Sequence, residues 1–169
     1  MAISMHQAAV PPLRRTLTTL IGVLAKAQAH AESQGIDPAV LLASRLYPDM
    51  FPLTRQVQIA ADIARRGVAR LAGVEAAAVA DDETSFEQLM ARLRSAIGEL
   101  DGYSPGQLEG SAERQVTVPV GRGQTITMEG WPFLSTFVLP NVYFHTTTAY
   151  AILRHNGVVL GKRDYLGEP

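Results

Sequence analysis

Asn141 and His145 stand four residues apart in a stretch, Trp131 to Leu153, that contains no Asp, Glu, Lys or Arg. On an α-helix that spacing places both side chains on one face. A neutral imidazole is a metal ligand and a proton acceptor, and two groups at i, i+4 can share an ion. Asn is a poor companion in such a site, because zinc and nickel prefer nitrogen, sulfur or carboxylate donors. The competing reading is a buried polar pair hydrogen-bonded across a core. Tyr143 and Phe144 flank the pair. Gln56, Gln58 and Asp62 fall in a second helical segment that could complete a pocket. Asp62 is the strongest candidate there, either as a ligand or as the group that orients His145. Its alternative is an exposed carboxylate paired with Arg65 or Arg66. His6, His30 and His155 lie near the ends of expected helices, as capping or surface groups. Thr146, Thr147 and Thr148 are expected to bond back to helix carbonyls. There is no nucleophile elbow, phosphate loop or dinucleotide fingerprint, and Gly121-Arg122-Gly123 reads as a turn between strands.

Four long helices must carry these residues. Apolar positions recur at three- and four-residue steps from residue 4 to 33, with Pro11-Pro12 interrupting near the start and Gly35 ending the pattern. Asp37-Pro38 opens a short helical piece through Leu42. The second long helix follows Pro52, with Leu53, Val57, Ala60, Ala61, Ala64, Val68 and Leu71 as its core face and Gly73 as its stop. Its alanines predict close approach of a neighbour, and Arg65, Arg66 and Arg70 read as a solvated face. Thr84 and Glu87 have capping-box spacing ahead of the third helix, which ends at Gly102. A helical turn after Ser104 is expected in the loop 103–110. The period then changes to two over Gln115–Val120 and Gln124–Met128, a β-hairpin signal, with Pro119 confining its strand to an edge. Pro132 opens the last helix and Pro140 breaks it, because proline has no N–H for the carbonyl of Thr136. The expected kink turns Asn141 and His145 toward the interior. Asn156-Gly157 ends this helix, and the tail, 158–169, is too short for another.

Composition narrows the function classes. The chain has 169 residues, 47% hydrophobic and 18% charged, which suits one domain, 1–169, with a sizeable core. Its net charge of −1 gives no basic surface for nucleic acid. With no cysteine, a disulfide framework and a thiolate zinc site are both excluded. The stretch around His145 is long enough to span a bilayer, yet its Ser, Thr, Asn and His would need partners in lipid, so no membrane span is expected. The N-terminal residues lack a basic region ahead of an apolar core, and a cytoplasmic protein is the expectation.

The order helix, helix, helix, hairpin, helix, ending Tyr150-Ala151-Ile152-Leu153-Arg154-His155-Asn156-Gly157, resembles the DinB-like superfamily of metal-dependent four-helix bundles. Asp49–Leu53, Gln56–Ala60, Arg70–Gly73, Leu139–His145 and Leu160–Leu166 are similar to an uncharacterised bacterial family within it. The resemblance implies an all-α, DinB-like four-helix bundle with a small hairpin before the last helix. It also implies a three-histidine metal site whose positions fall on Asn141, on His145 and near Gln58, so one histidine of three remains. The expectation is a degenerate site with no cofactor, where a small ligand or partner meets His145, Asn141, Tyr143, Gln58 and Asp62. The alternative is a divergent metal-dependent enzyme, of transferase or hydrolase type, holding zinc or nickel with His145, Asn141 and Gln58 or Asp62. A homodimer is carried over from the resemblance.

Overall fold

The computed structural model describes residues 3–121 and 123–167, with Val120 described by its backbone alone. Helix α1, Met5–Gln34, starts on a capping box in which Ser4 and Gln7 satisfy each other's backbone N–H groups, and ends at Gly35 with φ 64°. Pro11 and Pro12 lie inside it, so the expected interruption neither starts nor ends the helix. Pro11 faces solvent while Ala9, Val10 and Leu13 are packed in the core, and burial on that side outweighs two lost backbone bonds. Helix α2, Pro38–Ala43, is capped by Asp37, which accepts from the N–H of Ala39. Helix α3, Leu53–Ala72, ends at Gly73.

Helix α4, Phe86–Asp101, is capped by Ser85 with Gln88, one residue later than the expected pair of Thr84 and Glu87. That register turns Phe86, Leu89, Met90 and Leu93 into the core. A single turn, Pro105–Leu108, follows Ser104 as expected. Strands β1, Gln115–Gly121, and β2, Gln124–Glu129, pair antiparallel from Gln115 opposite Glu129, with a register shift between Pro119 and Gly121. Val116 and Val118 face the core, as strand alternation requires.

The last helical stretch is continuous in right-handed geometry but not uniform. Helix α5, Gly130–Pro132, passes into a π-helical segment, Phe133–Val138, and then into α6, Leu139–His155. Pro140, where a break was expected, does not interrupt the helix but lies in the first turn of α6, and the irregular segment precedes it. The N–H of Leu139 reaches back five residues to the carbonyl of Leu134, and the wider turn lies directly before the residue that cannot donate. The tail contains a short helix, α7, Lys162–Leu166, contrary to the expectation that it was too short. Its start is held by Asp164, which accepts from the N–H of Gly161 at 2.8 Å and pairs with Lys26 on α1 at 2.6 Å.

Helix α3 packs against α6 on one side and α4 on the other, and α1 closes the bundle against α4, α6 and α7. Ala60, Ala61 and Ala64 have no exposed surface, so their small side chains set the close approach. Gly67 sits where an added Cβ would lie 2.8 Å from Val138 of the π-helical segment. No helix among the described residues is long and apolar enough to cross a membrane.

Candidate functional site

The facing of α3 and α6 brings His145 onto Gln56. Leu53, Gln56, Val57 and Ala60 share the face of α3 that meets α6, by three- and four-residue steps. His145 Nδ1 lies 2.7 Å from Gln56 Oε1, and Gln56 Nε2 donates to the carbonyl of Phe51 at 3.1 Å. A carbonyl can only accept, so it fixes the orientation of the Gln56 amide, and Oε1 then requires a proton on Nδ1. In its neutral form His145 therefore carries its proton on Nδ1 and presents Nε2 as an acceptor. Phe144 meets the ring edge-on, with centroids 5.2 Å apart, and is itself 58% exposed. Burial lowers the His145 pKa from its ordinary value, and the Arg55 guanidinium lowers it further.

The other expected site residues are placed elsewhere. Asn141 spends its amide on the carbonyl of Phe137, four residues back, at 2.7 Å. Tyr143 borders a different groove, with Tyr165 of α7 and Thr16 and Thr19 of α1, where burial raises its phenol's pKa. Gln58 donates to Glu83 at 2.8 Å and accepts from Arg55. Asp62 does not orient His145. It accepts from Arg92 at 2.9 Å and from Arg65 at 3.1 Å, and Arg66 lies within 3.9 Å.

Gln58, Asp62 and Arg65 recur at steps of four and three and form the stripe of α3 that faces α4, one stripe away from Gln56. Arg65 is 3% exposed and so is not part of a solvated face. Gln56 was the residue to choose from helix two. The signal was its spacing from Leu53 and Ala60, which puts it on the apolar face, whereas Gln58 and Asp62 keep step with arginine.

This stripe belongs to a network of four arginines, Arg55, Arg65, Arg66 and Arg92, with four carboxylates, Asp62, Asp81, Glu83 and Glu99. Arg92 is its centre, bonding Asp62, Asp81, Glu83 and the carbonyl of Ala80. Burial pushes the Glu83 carboxyl up, but hydrogen bonds from Arg92 and Gln58 outweigh this and hold it below its ordinary value. The network lashes the connection 74–85 to α3 and α4.

A three-histidine metal site does not fit these donors. An Nδ1–H tied to a side-chain oxygen does orient a ligating imidazole, but the other two positions offer carboxamides. The Asn141 amide is engaged with the carbonyl of Phe137, the Gln58 amide with Glu83 and Arg55, and the neighbouring Gln56 amide with the carbonyl of Phe51 and with His145 itself. Among the described residues no group of three or more His, Cys, Asp or Glu is gathered closely enough to hold a metal ion.

Residues 5–166 match the family model described as Domain of unknown function (DUF1993). Among solved structures, the chain is similar to the crystal structure of a DinB family member protein from Shewanella denitrificans. The two are 42% identical over 98% of this chain and 93% of that one, with a TM-score of 0.91. No curated protein matches. A family model running from the first residues of α1 to the last of α7, beside a bundle of the same shape, means that the chain belongs to the DUF1993 family, of unknown function, within the DinB-like superfamily.

Proposed function

We propose that the protein binds a small polar molecule at the His145–Gln56 pair, on the remnant of a metal site and without a metal. The observation that supports this reading is the 2.7 Å contact between His145 Nδ1 and a Gln56 that is 2% exposed. It holds one neutral imidazole in one orientation, with Nε2 as an acceptor for a ligand N–H or O–H. Phe144, exposed and edge-on to the ring, supplies an apolar flank, so an aromatic amide or alcohol is the fitting class.

The test is saturation-transfer NMR with benzamide and benzyl alcohol as probes, on the wild type and on His145→Ala. Transfer that the variant loses supports the reading; equal transfer to both proteins, or none to either, defeats it. Elemental analysis and zinc calorimetry belong beside it. Tight stoichiometric zinc that His145→Ala abolishes would replace this reading with the divergent metalloenzyme. The exposure of Phe144 beside His145 favours a second reading of this face, in which another copy of the chain covers it. Light scattering on the wild type and on Phe144→Ser tests that homodimer.

A further inference from the structure

We infer a second binding site, away from His145, that takes the oxyanion group of a small amphiphilic molecule. A cavity of about 460 Å³ lies between the C-terminal half of α3, the segment after Gly73 and strand β1. Three arginines, Arg66, Arg70 and Arg114, line it, against one carboxylate, Glu75. Arg66 and Arg70 are four residues apart on α3 and so project from one face. The Arg114 guanidinium donates to the carbonyl of Leu71 and lies over Gly73, which fixes it at the cavity edge.

The arginines of the α3–α4 network are matched by carboxylates, Arg66 the most loosely of them, while Arg70 and Arg114 lie outside that network. Asp62 approaches Arg66 only at 3.9 Å and is already bonded by Arg65 and Arg92. Among the described residues Arg70 makes no hydrogen bond or ion pair. Burial and the neighbouring Arg66 both lower its pKa, while Glu75 opposes them. The Nε–H of Arg66 is shut off from solvent and has no acceptor among the described residues.

Like charges crowded in a half-closed space disfavour one another unless an anion joins them. Guanidinium groups bind phosphate and carboxylate through paired N–H donors. Val74 and Val116 supply apolar wall beside the arginines, so the fitting ligand has an anionic head and a short apolar body. The volume is in the range of small-molecule sites.

The experiment follows the arginine Nε–Hε NMR signals while hexyl phosphate, hexanoate and hexanol are added separately to the full chain. The expected result is saturable shifts at Arg66 and Arg70 with one or both anions and none with hexanol. The anion that saturates at lower concentration identifies the head group as phosphate or carboxylate. Arg70→Gln should weaken binding at least tenfold without changing the melting temperature, because Arg70 anchors nothing else. Arg114→Gln loses its bond to Leu71 and is expected to destabilise the fold as well, so Arg66→Gln serves as the second variant. Equal response to hexanol, non-saturating shifts over all arginines, or unchanged affinity in both Arg70→Gln and Arg66→Gln would overturn the assignment.

Discussion

His145 is held neutral by burial and by the nearby Arg55. Its folded pKa is depressed, so the unfolded chain binds a proton more readily than the folded one. This group therefore costs nothing above its unfolded value of 6.5, and stability falls as pH drops through that value toward the folded pKa. Denaturant midpoints measured between pH 8 and pH 5 should show the decline, and His145→Gln should flatten it. A slope of the opposite sign would mean that a carboxylate reaches the ring. His145→Ala should cost about 1–3 kcal/mol, because it strands the acceptor of a buried amide at Gln56. Chemical denaturation of the variant measures that directly.

Two helical segments meet at a glycine. Gly67 of α3 faces Val138, and a methyl group there would lie 2.8 Å and 2.9 Å from its two Cγ atoms. Val138 is β-branched and stiff at χ1, so it cannot swing aside. Gly67→Ala should therefore destabilise by about 1–3 kcal/mol despite the better helix propensity of alanine. Val138→Ala in the same chain should recover most of that loss, and a double-mutant cycle reads the coupling. Additive losses would show that the two elements do not meet here. Gly130, at the start of α5, is the harsher case: a Cβ would sit 1.9 Å from the carbonyl oxygen of Ser111. Backbone cannot yield as a side chain does, so Gly130→Ala should shift the hairpin against the last helix and lower the melting temperature more than Gly67→Ala.

Across the whole molecule, Arg92 joins α3, α4 and the connection 74–85 through Asp62, Asp81, Glu83 and the Ala80 carbonyl. Removing it leaves Glu83 without its cation and takes one of the cations from Asp62 and from Asp81, which keep Arg65 and Arg55. Arg92→Met should cost about 3–5 kcal/mol and should open residues 74–85 to hydrogen exchange and proteolysis before the bundle itself. Unchanged protection there would locate the anchor elsewhere. Acid should act on the same network in a window separate from that of His145. The Glu83 pKa is depressed in the fold, so its contribution is present above the unfolded value of 4.5 and is lost as pH falls through the folded pKa. Two descents on acidification are expected, the first removed by His145→Gln and the second by Glu83→Gln.

The bundle was legible from the chain because its causes are local. Apolar residues at three- and four-residue steps, Gly35 and Gly73 as left-handed stops, and alternation across Gln115–Met128 each act within a few residues. Pro140 marked the neighbourhood of an irregular turn for the same reason, since a missing N–H is a property of one residue, although the helix runs on through it. The π-helical segment before it was not legible, since it lies where Val138 meets Gly67 of α3, a contact between distant parts of the chain. The site shows the same division. That His145 would meet helix two could be read from the chain, but which residue it meets depends on the rotation of α3 about its axis. The whole bundle sets that rotation, by burying the stripe of Leu53, Gln56, Val57 and Ala60 against α6 and turning Gln58, Asp62 and Arg65 toward α4. Arg65, Arg92 and Glu83 look like surface charges in a string of letters. Only tertiary packing, which brings four arginines and four carboxylates from three parts of the chain within bonding distance, makes them a buried lattice.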